Sequence, residues 1–237
     1  MIDWEISKEH FVFIRSRPFV HTEHGLDYWM EADNDVLYIV FQESHDDDDW
    51  AADLNFFPER FDIYPGSKIK AHRGLAEQYM DVRQIIMDHL YGGKIKHIFI
   101  AGYSLGGAIT TAAVQDIGFH VDRDNLNVMV YGINYDGPRF FGPSNLVKKS
   151  VKRRLDTVKN HCDPVVHLPW KIMPTFFYFR WRPFKLTIDW KSLITGRLTR
   201  WDDFGKIIWM GNLWPWPIKH LPEQIEQSLL KKFGVRK

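Results

Sequence analysis

Ile98-Phe99-Ile100-Ala101-Gly102-Tyr103-Ser104-Leu105-Gly106-Gly107-Ala108 decides how the rest of the chain is read. An apolar run consistent with a buried strand stops at Gly102. Ser104 follows, and Leu105 to Val114 has the small-residue composition of a closely packed helix. G-x-S-x-G in the setting of strand, sharp turn and helix is a nucleophile elbow. A serine at the tip of such a turn sits in strained backbone. Side chains two positions to either side would collide where strand and helix nearly touch, and Gly102 and Gly106 remove those collisions. The turn also aims the Leu105 N–H and the helix N-terminus at the place where an oxyanion would form.

Working outward, Val36 to Phe41 reads as a strong buried strand and Gly74 to Tyr91 as an amphipathic helix stopped by Gly92-Gly93. A helix and then a strand near Asp27 to Glu31, with a turn at Asp33-Asn34-Asp35, precede them. Between them, His45 to Arg60 opens on the acidic run Asp46 to Asp49 and then spaces Trp50, Leu54 and Phe57 helically until Pro58. The acidic run offers hard-cation oxygens but lacks the spacing of a calcium loop, so a solvated charged loop is the plainer reading. Phe61 to Lys70 reads as a strand broken at Pro65-Gly66.

Beyond the elbow, Leu126 to Gly132 and Leu155 to Lys159 read as strands. They flank a loop over Asn134 to Ser144 and a helix capped by Ser144, whose exposed face carries Lys148, Lys149, Lys152, Arg153 and Arg154. A charge run of that kind is most simply a solvated face. From Trp170 the periodicity is poor: Phe176 to Trp181 reads as a strand, Trp209 to Pro217 as irregular, and Pro222 to Phe233 as a closing helix. Strands alternating with helices predict a mainly parallel sheet covered on both faces. The expected organisation is one α/β-hydrolase domain over 1–237, with a short amphipathic helix on an acidic connection after the first strong strand and an aromatic-rich excursion at 170–216.

A chain of 237 residues suits one such domain. Lys plus Arg and Asp plus Glu balance at 31 against 30, which gives no charge argument for a nucleic-acid partner. The lone Cys162 rules out an internal disulfide framework. Neither a signal peptide nor an apolar run long enough to span a bilayer is visible, so a cytoplasmic protein is expected. Seven of the ten tryptophans lie at or beyond position 170, and aromatics with one polar edge suit a membrane–water boundary.

A serine hydroxyl is a weak nucleophile that needs a base, itself oriented by an acid. In α/β-hydrolases the chain order is Ser, then Asp or Glu, then His. Asp163, just past an expected strand end and followed by Pro164, is the favoured acid, although Asp189, Asp202 and Asp203 are also available. Of eleven histidines only His167 and His220 lie beyond Asp163. His167 shares its connection with Asp163, whereas the base normally comes from a later loop, so His220 is the better base. Ser44, at the end of the first strong strand, is the candidate second oxyanion-hole residue beside Leu105.

With those residues named, the chain resembles the class 3 lipases, the fungal-type triacylglycerol lipase family. Ile98 to Ala108 is similar to the family's G-[HY]-S-L-G-G-A segment. Val36 to Ser44 with Asp49-Trp50 and Asp53-Leu54 resembles its strand, F-R-G-[ST] and D-W-x-x-D-L. His72-Arg73-Gly74-Leu75 resembles H-x-G-F, and Tyr131 to Arg139 resembles F-G-x-P-R with a longer insertion. Asn160 to Pro169 resembles N-x-x-D-x-V-P-x-L-P. The resemblance implies an α/β-hydrolase fold with Ser104 as nucleophile, Asp163 as acid, His220 as base, and Ser44 and Leu105 as oxyanion hole. It also implies a lid over 45–58 and chemistry that needs no cofactor or metal. Gln42-Glu43 stands where the family has Arg-Gly. The implied activity is serine ester hydrolysis on acylglycerols or other lipid esters through an acyl-enzyme, with peripheral contact to a membrane or lipid surface. The alternatives are an esterase or phospholipase acting on a different ester, and a catalytically silent hydrolase-fold module that binds lipid or a partner.

Overall fold

The computed structural model describes residues 4–42, 58–61, 69–151, 153–160, 163, 165–167, 172–174, 177–180, 185–188, 198–200, 203–210 and 222–233. The expected lid-like segment therefore lies outside the described residues except for Pro58, as do Ser44 and His220. The frame is a seven-stranded sheet in the order β1-β2-β3-β6-β7-β8-β13. Its strands are β1 (Val20–His21), β2 (Asp27–Asp33), β3 (Val36–Gln42), β6 (His97–Tyr103), β7 (Met129–Tyr135), β8 (Leu155–Asn160) and β13 (Lys206–Met210). β1 and β2 run antiparallel at one edge, and every pairing from β3 to β13 is parallel. The turn joining β2 and β3 places Asn34 at φ 55, a conformation that asparagine tolerates because its short polar side chain bonds locally.

Alternation along the strands builds two cores. Leu37, Ile39 and Phe41 of β3, with Ile98 and Ile100 of β6, face α2 (Arg73–Tyr91) and α3 (Leu105–Asp124). Tyr38 and Val40, with Ala101 and Tyr103, face the other way, onto Phe11 and Ile14 of α1 (Lys8–Arg15) and Ile225 and Leu229 of α5 (Pro222–Phe233). The mainly parallel sheet covered on both faces is thus what the molecule builds. α2 buries Leu75, Tyr79, Val82, Ile86 and Leu90 and leaves Ile85 exposed at the margin of its apolar stripe. Its N-cap is His72, whose Nδ1 accepts from the Leu75 N–H at 3.4 Å. Burial pushes the His72 imidazole down to about 3, so the ring stays neutral and able to accept.

Several sequence expectations are corrected here. The elbow helix runs ten residues past Val114 to Asp124, because Gln115, Asp116 and His120 are buried against α2, with Tyr79 and Arg83 bonded to Asp116 at 2.8 and 2.7 Å. The strand expected over Leu126–Gly132 sits three residues later, at Met129–Tyr135. Of the strand expected over Phe61–Lys70, residues 62–68 lie outside the described residues. Short β4 (Pro58–Arg60) and β5 (Lys70–His72) flank it and pair antiparallel, and the Phe61 N–H donates to the Ile69 carbonyl at 2.8 Å. α4 (Asn145–Val151) carries Lys148 and Lys149, with Ser144 Oγ accepting from the Val147 N–H as expected, but Arg153 and Arg154 lie past its end.

The largest correction concerns 170–216. Its described parts include β9 (Ile172–Pro174) paired with β12 (Leu198–Arg200), and β10 (Phe177–Arg180) paired with β11 (Lys185–Ile188). The chain then returns to the main sheet, where β13 pairs parallel with β8 from Lys206↔Asp156 to Met210↔Asn160. Of the stretch expected to be irregular, Trp209 and Met210 are therefore the end of this strand, and 211–217 lie outside the described residues. As an edge strand, half-exposed over most of its length, β13 lacks the buried apolar run that marks β3. Gly205 makes this docking feasible: its φ is 84, and a Cβ there would lie 2.5 Å from the Leu155 carbonyl oxygen. Gly205→Ala is expected to destabilise the protein by about 2–4 kcal/mol. Urea unfolding checks this, and a change under about 0.5 kcal/mol, the range of an ordinary surface substitution, would mean that β13 does not depend on this contact.

Candidate active site

The site forms at the carboxyl edge of the parallel strands, where open α/β sheets place their functional groups. Ser104 sits between β6 and α3 with φ 54 and ψ −124, strained backbone for a residue with a side chain, and it is fully buried. The strain is held by packing. A Cβ on Gly102 would stand 2.2 Å from the Gly106 carbonyl oxygen, and one on Gly106 would stand 2.3 Å from the Phe41 carbonyl oxygen. Backbone cannot move out of the way of either. The Ser104 N–H donates to the Tyr135 carbonyl at 3.0 Å, tying the turn to the end of β7. Leu105 opens α3 and is buried, and its amide belongs to the first helical turn, where the helix supplies no acceptor. Because Gly106 packs on Phe41, the end of β3 lies against this same turn, two residues before Glu43-Ser44.

Asp163 follows the end of β8 and is fully buried. Its Oδ1 accepts from the Val165 N–H at 2.8 Å, and its own N–H donates to the Asn160 carbonyl at 3.1 Å. Ser104 and Asp163 thus extend the carboxyl ends of β6 and β8, with only β7 between them. Two strand spacings are about 10 Å, a gap that two inward-leaning side chains and an imidazole can bridge. Of the five sequence-proposed site residues, the structure places Ser104, Leu105 and Asp163 at one sheet edge, while Ser44 and His220 lie outside the described residues. His167, the other histidine considered, lies in a short 3₁₀ turn with its ring stacked on Trp209 at 5.9 Å.

Two features of this edge were not read from the sequence. First, Tyr135-Asp136-Gly137-Pro138-Arg139 fits F-G-x-P-R with no insertion, Asp136 standing in glycine's place at φ 50. Asn134 closes this turn, its Oδ1 accepting from the Gly137 N–H at 2.9 Å and its Nδ2 donating to Thr111 Oγ1 at 3.0 Å. Second, a buried ionic cluster clamps the Asp163 loop. Lys159 Nζ donates to the Val166 carbonyl at 3.0 Å and to Asp203. Arg139 donates to the His167 carbonyl at 2.5 Å and to Asp203 Oδ2 at 3.2 Å. Asp203, available in the sequence as a rival acid, is therefore engaged by two cations. Only the spatial meeting of residues 44 and 64 positions apart makes the cluster, so no local pattern announces it.

Comparisons with known proteins identify the family. The family described as Lipase (class 3) matches residues 38–173, more than half of the 237. That span encloses Ser104 and Asp163. Over 86 residues the chain is 29% identical to a lipase of Rhizomucor miehei, a match covering 35% of this chain and 23% of that protein. A mutant form of MDLA from Penicillium cyclopium aligns with TM-score 0.50 at 20% identity, over 64% of this chain and 56% of the other. Mono- and diacylglycerol lipase from Aspergillus oryzae aligns with TM-score 0.49 at 21% identity, over the same 64% and 56%. The chain thus spans little more than half the length of these two solved lipases. It belongs to the class 3 lipase family, and its fold is that of the α/β-hydrolases. No described helix is long and apolar enough to cross a membrane.

The cluster gives this site a pH dependence. Burial pushes the Asp203 carboxyl up, but the Lys159 ammonium and the Arg139 guanidinium outweigh burial and hold it below its usual value. A carboxyl depressed in the folded state stabilises above its unfolded value of about 3.9, and that stability is lost as pH falls through the folded value. Asp203→Asn removes the carboxylate that both buried cations share, with an expected cost of about 3–5 kcal/mol at neutral pH. Urea unfolding from pH 7 down through pH 3 checks both points: the variant is less stable at pH 7, and the gap narrows below pH 4. A gap that stays constant across this range would rule out the ionic account.

Proposed function

We propose that this class 3 lipase is a serine ester hydrolase acting on acylglycerols or other lipid esters through Ser104, Asp163 and His220. The observation that carries the reading is Ser104: a serine held in strained backbone at the tip of a strand–turn–helix, where the one constraint that explains two obligatory glycines also positions a nucleophile. The buried Asp163 two strands away supports it. So does the chain order, which leaves His220 free to arrive from a later segment than the acid.

In this reading His220 removes the Ser104 proton as Oγ attacks the ester carbonyl. Asp163 holds the imidazole and stabilises the imidazolium that forms. The Leu105 N–H and Ser44 stabilise the tetrahedral oxyanion, each donor contributing about 10²–10³-fold. His220 then protonates the leaving alcohol, giving an acyl-enzyme that water hydrolyses by the reverse sequence, and the fatty acid departs. Contact with a lipid surface would come from the aromatic residues of 45–58 and of the C-terminal third, segments that lie largely outside the described residues.

A panel of short- and long-chain acyl esters, assayed with the wild type and Ser104→Ala, tests the reading. Hydrolysis is expected for the wild type, and the variant should lose about 10⁴-fold or more in kcat. A preference for monomeric short-chain or phospholipid esters would move the substrate without moving the triad. Gln42-Glu43 beside the oxyanion position is the feature that favours a silent binding module instead. Stoichiometric fluorophosphonate labelling at Ser104 would exclude that module, and an absence of both labelling and turnover would establish it.

A further inference from the structure

Asp136 occupies the carboxyl end of β7, the strand between those that present Ser104 and Asp163, and it is fully buried. Four hydrogen bonds pass through or beside it. The Ser104 N–H donates to the Tyr135 carbonyl at 3.0 Å, and the Asp136 N–H donates to the Val158 carbonyl at 2.8 Å. The Asn160 N–H donates to Asp136 Oδ1 at 2.5 Å, and the Asp163 N–H donates to the Asn160 carbonyl at 3.1 Å. A single side chain therefore links the turn that carries the nucleophile to the loop that carries the acid.

Its second oxygen, Oδ2, is buried with no hydrogen-bond partner among the described residues. A bare carboxylate oxygen in such a place is costly, whereas a protonated acid is far less so. Two carboxyls in one dry site also resist ionising together. The charged groups facing Asp136 are Asp163, from the loop after β8, and the Lys159 ammonium, which is itself bonded to Asp203. Burial, and after it the charge of Asp163, push the Asp136 carboxyl well above its usual value, against the Asn160 amide and Lys159. The positive φ of 50 is a position where glycine would be less strained. A carboxyl kept at that position has a use beyond the turn.

We propose that Asp136 is a positioning residue for the triad acid: a neutral carboxylic acid that fixes the Asp163 loop through the Asn160 amide and leaves the negative charge of the site to Asp163. The proposal rests on the assignment of Ser104 and Asp163 made above. At neutral pH Asp163 then faces a dipole and not a second anion, so its charge remains available to the imidazolium. When alkali ionises Asp136, the two carboxylates repel and the loop loses its geometry.

Asp136→Gly and Asp136→Asn both tolerate the positive φ, so folding and function can be separated. Glycine removes the acceptor for the Asn160 N–H, and kcat should fall about tenfold with KM held within about twofold. Asparagine keeps an acceptor without an ionisable proton and should recover most of that loss. The pH profile of kcat/KM should bend on its alkaline side in the wild type, and that bend should be missing from Asp136→Asn. Independently of turnover, 13C-carboxyl NMR of the full chain labelled at aspartate should show one carboxyl protonated at pH 7 in the wild type and absent from Asp136→Asn. An ionised Asp136 at pH 7, or superimposable pH profiles, would overturn the proposal. If the wild type cleaves no ester, the hydrolase reading fails, and the NMR titration alone then decides the state of Asp136.

Discussion

The contact on which this structure depends is the near-collision of β6 with the first turn of α3. Gly102 and Gly106 face each other with no room for a single carbon, and Gly106 at the same time abuts the Phe41 carbonyl of the neighbouring strand. Three pieces of backbone, the ends of β3 and β6 and the start of α3, are thereby packed as closely as main chain allows. Ser104 lies at the apex of that packing, and its unfavourable φ and ψ are the local cost of reversing the chain so sharply. Because the strain is held by backbone contacts and by the bond to Tyr135, the serine is fixed before any substrate arrives. Preorganisation of that kind is what electrostatic catalysis requires.

The same constraint explains which parts of the molecule were legible from sequence. Close backbone approach demands glycine at fixed offsets, so the elbow is written locally. The α2 and α5 boundaries are likewise local, given by apolar spacing, Gly92 and Pro222, and the structure places them within one residue of expectation. Asp163 could be proposed because a carboxylate after a strand end has a recognisable setting. The chain order of the proposed triad points from there to His220, a position outside the described residues.

What escaped was non-local. β13 is a half-exposed edge strand whose parallel partner lies about fifty residues earlier, and no periodicity within Lys206–Met210 could announce that pairing. The Arg139–Asp203–Lys159 cluster joins three segments whose separate sequences read as a turn, a loop and a strand end. Asp136 escaped for a different reason. An aspartate before Gly-Pro reads as an ordinary turn former, and only burial and the Asn160 amide reveal that its carboxyl faces inward.

Charge at the carboxyl edge of the sheet is distributed by burial as much as by residue type. Three carboxyls and two cations pack around the ends of β7 and β8, and they do not all carry charge to the same purpose. Asp203 is compensated by Lys159 and Arg139 and so remains an anion whose role is to hold two loops together. Asp136 is buried, faces the charge of Asp163, and has only the Asn160 amide and an already engaged ammonium to set against them, so its environment favours the proton. Asp163 lies between these cases, its Oδ1 accepting from the Val165 backbone N–H, a dipole that favours a negative charge without cancelling it. A neutral partner at Asp136 and a sequestered cation at Lys159 are thus complementary. The first withholds repulsion from Asp163 and the second withholds attraction, leaving the carboxylate oriented and able to meet an imidazolium.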